Sequence, residues 1–399
     1  MVVLLGYING YMLRNRAKEF ATYILLGMKK NRIAAVFFGE ALLMGIIGLI
    51  IGMIMYDVII IGAGPTGSSA AKELASKGYS ALMVEKFKMP RNKSCSGILI
   101  QKSIKLISSY FGCDVPPSVM CDPTDSKGMA FINDVGKEYC YEQDGLNIWR
   151  SSLDHWLAQK AVEAGVELRD DTTAIDCEED NGHVKVKLKG NSEYMEQARI
   201  VIACDGAVGS IKRKLSGLSQ SYVTTYQTFN KGTIDLDPHY FYAFLQPQFS
   251  EHDAWFNVKD DYLIFGVSVR DTSKIEHYYS TFIEYMESKY NARIEMQERT
   301  ERWIMPHIIP GCPVEYGKGR VLFAGETAGF LNPMGEGISA GLECGYAAAQ
   351  AIQSVDMSEG LDVQALHLIY KDNTASLKTY MERQWRFVAN MSDKFSQYK

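Results

Sequence analysis

No two of the eight cysteines form a Cys-x-x-Cys pair, so the spacing of a zinc ribbon or an iron–sulfur site is missing. The seven histidines form no His-x-x-x-His pair either, and no metal site is expected. Basic residues are in deficit: 42 Lys and Arg face 47 Asp and Glu, for a net charge of −5. A nucleic-acid binder needs the opposite balance to neutralise phosphates. Scattered single thiols in a long chain fit a reducing compartment. What remains is ordinary globular material, 47% hydrophobic and 22% charged over 399 residues. That is enough for about two to three domains.

Charge is unevenly spread. Residues 1–54 carry six basic groups (Arg14, Arg16, Lys18, Lys29, Lys30, Arg32) and two acidic ones (Glu19, Glu40), a net +4. The other 345 residues hold 36 basic and 45 acidic groups, a net −9. From Ile33 to Ile54 the chain is apolar except for Glu40. As a helix that run spans roughly 33 Å, enough to cross a bilayer, so 33–54 is a candidate transmembrane helix. The positive-inside rule keeps Arg14–Arg32 in the cytoplasm and delivers residue 55 outside. Yet Met55-Tyr56-Asp57 runs without a spacer into what reads as a cytoplasmic nucleotide fold. Three expectations stay open: a chimeric chain or mis-set start with Met55 as the true beginning, an anchored enzyme of inverted topology, or a re-entrant or surface helix. The first is favoured.

Asp57-Val-Ile-Ile-Ile61 is a short β-branched run, the pattern of a buried parallel strand. It feeds Gly62-Ala-Gly64-Pro65-Thr66-Gly67, a helical stretch to Lys77, and a second strand ending at Glu85. Gly62 permits the tight turn, Gly64 lets the backbone approach a pyrophosphate, and Gly67 lets helix and strand pack closely. Free N–H groups at the helix start favour an anion. Glu85, followed by Lys86, stands where a carboxylate binds ribose hydroxyls. Strand, glycines, helix, strand and acid in order specify a dinucleotide site. No second cradle of this kind occurs, so a separate NADPH domain is not expected.

Two further segments have strand-then-turn character. Arg199-Ile-Val-Ile-Ala-Cys-Asp205-Gly206 is one. Arg320-Val-Leu-Phe-Ala-Gly325-Glu326 is the other, leading through Pro333-Met-Gly335-Glu-Gly337-Ile338. With these, residues 55–355 resemble the geranylgeranyl reductase family of flavoproteins, within the p-hydroxybenzoate-hydroxylase-like group. The resemblance implies FAD, bound also through Arg150, Asp205, Gly206, Gly325, Glu326, Gly335, Gly337 and Ile338. Pro90-Arg-Asn-Lys93-Ser-Cys95-Ser-Gly97 resembles the family's Lys-x-Cys-Gly element beside the flavin, which brings in Cys95 and Gly97. Two departures stand out: the ribityl-binding Asp is Glu326 here, and the substrate-side Tyr-x-Trp-x-Phe-Pro becomes Asp253-Ala-Trp255-Phe-Asn257-Val258. Separately, Arg14–Gly52 resembles a fragment of an FtsX-like ABC-transporter permease.

The expected fold is α/β, a Rossmann-like FAD-binding domain of three layers with an antiparallel β substrate domain, preceded by the candidate membrane helix. The expected segments are 1–54 (membrane), 55–214 (FAD-binding, first part), 215–305 (substrate sheet), 306–355 (FAD-binding, second part) and 356–399 (helical cap). Twelve aromatics between Tyr222 and Phe265 are mostly sheet core, with a few lining a lipophilic pocket, Trp255 foremost. Cys95 is either a buried hydrophobe or, beside the flavin, a proton donor or a group that positions substrate. Lys93 reads as a solvated surface charge and His307 as a structural histidine.

The reaction implied by the resemblance is reduction of isolated carbon–carbon double bonds in an isoprenoid lipid. Hydride would come from reduced flavin, itself reduced by NAD(P)H or ferredoxin. A redox partner protein and contact with the cytoplasmic face of a membrane, or integration through 33–54, are expected with it. The alternatives are a flavin monooxygenase or halogenase, disfavoured by Gly329 and Gly335-Glu336-Gly337 and the missing Trp-x-Trp-x-Ile-Pro, and a transport-linked protein in which 1–54 does the work.

Overall fold

A computed structural model describes residues 55–399 apart from 218–220, 308–312, 334, 358–359 and 399, together with scattered positions between 23 and 43. The chain divides into two compact units, Met1–Met55 and Tyr56–Lys399. Among the described residues no helix is long and apolar enough to cross a membrane. The candidate membrane helix over 33–54 falls largely on residues outside those described, 44–54 included, and has no structural support.

The larger unit is built on two eight-stranded sheets. In the first, β1 (Met55–Ile61) pairs in parallel with β2 (Ala81–Val84), with Val58 opposite Ala81. Both are Val/Ile/Leu/Met-rich and almost wholly buried, as strands covered on two faces must be. Between them runs helix α1 (Pro65–Ser76), which opens on proline at its first turn, where no N–H is needed.

The second sheet begins with β3 (Ile98–Ile100), followed by helix α2 (Gln101–Phe111), β4 (Met120–Ile132) and β5 (Glu138–Ile148). Helix α3 (Arg150–Glu163) leads back to the first sheet at β6 (Glu167–Arg169). There β7 (Thr173–Asp180) pairs with β8 (His183–Lys189), and β8 with β9 (Glu193–Ala203), all antiparallel. After helix α4 (Ser210–Ser216), the second sheet continues with β10 (Tyr222–Thr233), β11 (Tyr240–Phe244), β12 (Ala254–Lys259) and β13 (Tyr262–Val269). Helix α5 (Ile275–Tyr290) and β14 (Arg293–Pro306) follow. The first sheet then closes with β15 (Gly317–Lys318) and β16 (Val321–Phe323). Helices α6 (Ile338–Gln353), α7 (Val363–Asn373) and α8 (Ala375–Met391) complete the chain.

Strand order in the first sheet is β15-β16-β9-β1-β2-β6, with β8 and β7 attached beyond β9. The second runs β14-β10-β13-β12-β11-β4-β5-β3. It is antiparallel except where β11 meets β4, so it draws strands from 98–148 as well as from 222–306. Alternation along β12 sorts its side chains by face. Ala254 and Phe256 join Phe244, Phe265 and the α5 residues Phe282 and Met286 in one cluster. Trp255 turns the other way, to Phe131, Phe241 and the α8 residues Phe387 and Met391.

Small residues let α1 and α6 lie close together. A Cβ on Gly345 would collide with the Thr66 carbonyl, and one on Gly341 with the Thr66 hydroxyl. This contact sets the start of both helices at the same cavity. In the C-terminal helices, Tyr370 and Trp385 are buried, and the Tyr370 hydroxyl donates to the Phe323 carbonyl at 3.0 Å. Tyr370 is a core residue, while Trp385, also buried, turns one side to the cavity described below.

Candidate active site

A cavity of about 410 Å³ opens where the carboxyl ends of β1, β2 and β9 meet the second sheet. That position, outside the strand ends of an open α/β sheet, is the general ligand site of such folds. The first-sheet end is made from the glycine turn. Gly62 holds φ +107°, and a Cβ there would strike the Cys204 carbonyl. A Cβ on Gly67 would sit on the Gly62 carbonyl oxygen. Gly64 differs: a Cβ there would meet only the Arg91 guanidinium, at an ordinary 3.5 Å. The protein's own packing therefore leaves room at Gly64, facing the cavity.

Glu85 closes the turn. It is 4% exposed, accepts from the Ala63 N–H at 3.1 Å and the Phe87 N–H at 3.2 Å, and lies 3.3 Å from Arg91 Nε. Arg91 Nη1 reaches Asp154 at 3.0 Å, and Arg150 grips the same carboxylate with two hydrogen bonds of 2.8 Å. Burial opposes ionisation of Asp154, but Arg150 and then Arg91 hold it below the ordinary carboxylate range. Cys95 lies near enough to Arg150 to favour its charged form. The result is a buried chain of alternating charge, Glu85–Arg91–Asp154–Arg150, ending near the Cys95 thiol.

Lys93 is not a solvated surface charge. Its side chain is 18% exposed and its ammonium lies 2.8 Å from Glu326 Oε1. Burial pushes Glu326 up, but Lys93 outweighs it and keeps the carboxyl below its usual range. A folded pKa below the unfolded one gives stability that is present above the ordinary value and lost as pH falls through the lowered one. Lys93→Met should therefore cost about 3 kcal/mol at neutral pH, with the loss shrinking in acid as Glu326 takes up a proton. Urea unfolding at pH 7 and pH 4 checks this.

Asp205 lies at the end of β9. Burial pushes its carboxyl up, while the Thr327 hydroxyl donates to it at 3.3 Å and accepts from the Gly206 N–H at 2.9 Å. The α6 start supplies Gly335, Gly337 and Ile338.

Gly62, Gly64, Pro65, Thr66, Glu85, Lys86, Cys95, Arg150, Asp205, Gly206, Trp255, Glu326, Gly335, Gly337 and Ile338 all line this one cavity. Gly67, Gly97 and Gly325 do not, and their requirement for glycine is internal. Gly97, at φ +70°, packs against the Ile148 carbonyl and Lys259, and Gly325, at φ +64°, against the Thr66 side chain. His307 is half-buried, with its Nδ1 3.0 Å from the Ser221 hydroxyl.

The second-sheet end of the cavity is aromatic: Phe241, Trp255, Trp303, Trp385 and Phe395. Trp255 faces Gly266 across the β12–β13 pair, and a Cβ there would run into the indole ring. Gly266→Val should push Trp255 into the cavity, seen as a shift in its fluorescence with the fold retained. Arg91 and Asp154 are missing from the sequence expectations. Asp154 has a signal in hindsight, because it stands four residues after Arg150 on one helix face.

The residues present fit an extended dinucleotide: a glycine cradle open at Gly64, a helix start, a buried carboxylate for ribose, and a second helix start beyond. That arrangement defines a nucleotide-dependent α/β oxidoreductase fold. The FAD binding domain family matches residues 55–372, and the chain belongs to that family as an FAD-dependent oxidoreductase. The FtsX-like permease C-terminal family matches residues 1–59.

Among curated proteins, the chain is 28% identical over 354 residues to the digeranylgeranylglycerophospholipid reductase of Methanocaldococcus jannaschii, covering 83% of this chain and 82% of that one. It is 28% identical over 348 residues to digeranylgeranylglycerophospholipid reductase 1 of Methanopyrus kandleri, covering 82% and 85%. Among solved structures, a geranylgeranyl bacteriochlorophyll reductase-like protein of Thermoplasma acidophilum superposes with TM-score 0.71 at 21% identity, covering 83% and 86%. A myxobacterial chondrochloren halogenase superposes with TM-score 0.67 at 16% identity, covering 84% and 82%. Both structures share the fold.

Proposed function

We propose that the chain reduces isolated carbon–carbon double bonds of an isoprenoid, geranylgeranyl-type lipid. The observation that carries this reading is the continuity of the cavity from the dinucleotide cradle to an aromatic wall on the second sheet. Relatives named for this activity over four-fifths of their length support it. FAD, once reduced, supplies the hydride that such a reaction needs.

The chain's own residues do the rest. The Gly62–Gly67 turn and the α1 start bind pyrophosphate, and Glu85 takes the ribose hydroxyls. Arg150, fixed by Asp154, orients the Cys95 loop. The α6 start at Gly337–Ile338 favours negative charge on the flavin's pyrimidine edge. Cys95 Sγ, held beside Arg150, is the group placed to hold or move the proton required at the second alkene carbon. Trp255 and its aromatic neighbours exclude water from the alkene. Electrons arrive from NAD(P)H or a ferredoxin-type partner. A substrate of this class resides in a bilayer, so membrane contact follows from the same reading.

The test is mass spectrometry of lipid products. The FAD-loaded chain, reduced without oxygen and given a digeranylgeranylglycerol lipid, should add hydrogen pairs and no oxygen. A product carrying oxygen or halogen, formed only in air, would replace this reading with the monooxygenase or halogenase one that the shared fold also allows.

A further inference from the structure

The second-sheet end of the cavity is not purely apolar. His252, in the loop before β12, and Trp255, on β12, both line it. Nε2 of His252 and Nε1 of Trp255 are buried, and neither has a hydrogen-bond partner among the described residues. Buried polar atoms without partners are rare in native interiors, and those that face a cavity are open to a ligand atom.

The loop that carries His252 is tightly set. Its N–H donates to the Ser250 hydroxyl at 3.0 Å, and that hydroxyl donates to the Ser268 carbonyl at 2.6 Å. Next to it, the half-buried Asp253 accepts from the Ser268 hydroxyl at 2.8 Å. Lys394 donates to the carbonyls of Ser250 and His252 from behind. The imidazole is thus positioned by its backbone, with its Nε2 left over.

We propose that His252 and Trp255 form a polar anchor for an uncharged oxygen of the substrate, an alcohol or carbonyl, at the second-sheet end of the cavity. An indole N–H can only donate, so the ligand atom must accept. Burial first, and His307 next, hold the His252 imidazole down to about 3, so it is neutral at physiological pH. The lysines and arginines lining the cavity, Lys86, Arg91, Lys93 and Arg150, all come from the first-sheet side. Lys394, outside the cavity lining, directs two of its three N–H bonds to backbone carbonyls. Among the described residues lining this end, a phosphate would meet no Lys or Arg, whereas a hydroxyl would meet the indole N–H and the imidazole Nε2.

The isoprenoid part of this inference rests on the reductase reading, but the anchor does not. The test is ligand titration of the oxidised, FAD-loaded full chain in mixed micelles, read from the perturbed flavin absorbance. Geranylgeraniol should bind about 10- to 100-fold tighter than the matching tetraene hydrocarbon, because the hydrocarbon leaves both nitrogens buried and unpaired. Geranylgeranyl diphosphate should bind no tighter than the alcohol. His252→Phe and Trp255→Phe should each erase about tenfold of the preference while the flavin spectrum persists.

A parallel pair, hexadecanol and hexadecane, separates the two readings. If the isoprenoids leave the spectrum unchanged but hexadecanol outbinds hexadecane, the anchor stands and the isoprenoid reading falls. Equal affinity within both pairs, or a diphosphate that binds tightest, would overturn the anchor.

Discussion

Gly67→Ala is expected to yield a protein that neither binds FAD nor folds to full stability. The new methyl would occupy the position of the Gly62 carbonyl, and backbone cannot step aside as a flexible side chain would. Strand β1 and helix α1 would have to separate, breaking the packing of α1 with α6 as well. Loss on the order of 3 kcal/mol or more follows from overpacking at a fully buried site. Gly64→Ala is the control. Its backbone is extended, and its Cβ meets nothing closer than 3.5 Å, so the apoprotein should unfold at the wild-type urea midpoint. It should still lose FAD, because the methyl points into the space a pyrophosphate needs. Denaturation curves paired with flavin retention on gel filtration distinguish the two.

Asp154→Ala should be the most damaging change outside the glycine turn. It removes one carboxylate from between two guanidiniums that are themselves nearly buried, with Arg91 at 10% and Arg150 at 7% side-chain exposure. Breaking a buried pair leaves an uncompensated charge and costs about 3–5 kcal/mol. Here the deletion leaves Arg150 without its carboxylate and takes one of two partners from Arg91, which keeps Glu85 at 3.3 Å, so a loss within that range is expected. Arg150 would also lose the fixed geometry that places it beside Cys95. Asp154→Asn keeps the shape and one acceptor, and should fall between wild type and alanine in a urea titration.

The dinucleotide end was readable because its signals are local. Strand, glycine spacing, helix and acid fall within a few dozen residues, and the structure joins Gly62, Gly64 and Glu85 as their spacing implies. The charge network was not readable, because it is assembled from afar. Arg91 and Asp154 are 63 residues apart in the sequence, and Lys93 meets Glu326 across 233. In sequence, Lys93 sits in a polar loop, and nothing nearby announces its partner.

The second sheet was only half visible. Strands β10 to β13 alternate aromatic and polar residues and identify themselves. Strands β4 and β5 carry Asp122-Pro123-Thr-Asp125 and Glu142-Gln-Asp144, with much of both faces in water, so no alternation marks them as strands. Gly67 serves packing, as its place in the turn implies, and Gly97 and Gly325, read only through the resemblance, serve packing and turn geometry as well. A glycine motif does not say whether the ligand or the protein needs the missing side chain. Only the surrounding atoms do.

The most direct measurement of the central claim is anaerobic stopped-flow reoxidation of the reduced, FAD-loaded chain. On mixing with a geranylgeranyl lipid in the absence of oxygen, the oxidised flavin spectrum should return, with one flavin reoxidised for each double bond saturated. A flavin that stays reduced with the lipid and reoxidises only when air is admitted would contradict the reductase account.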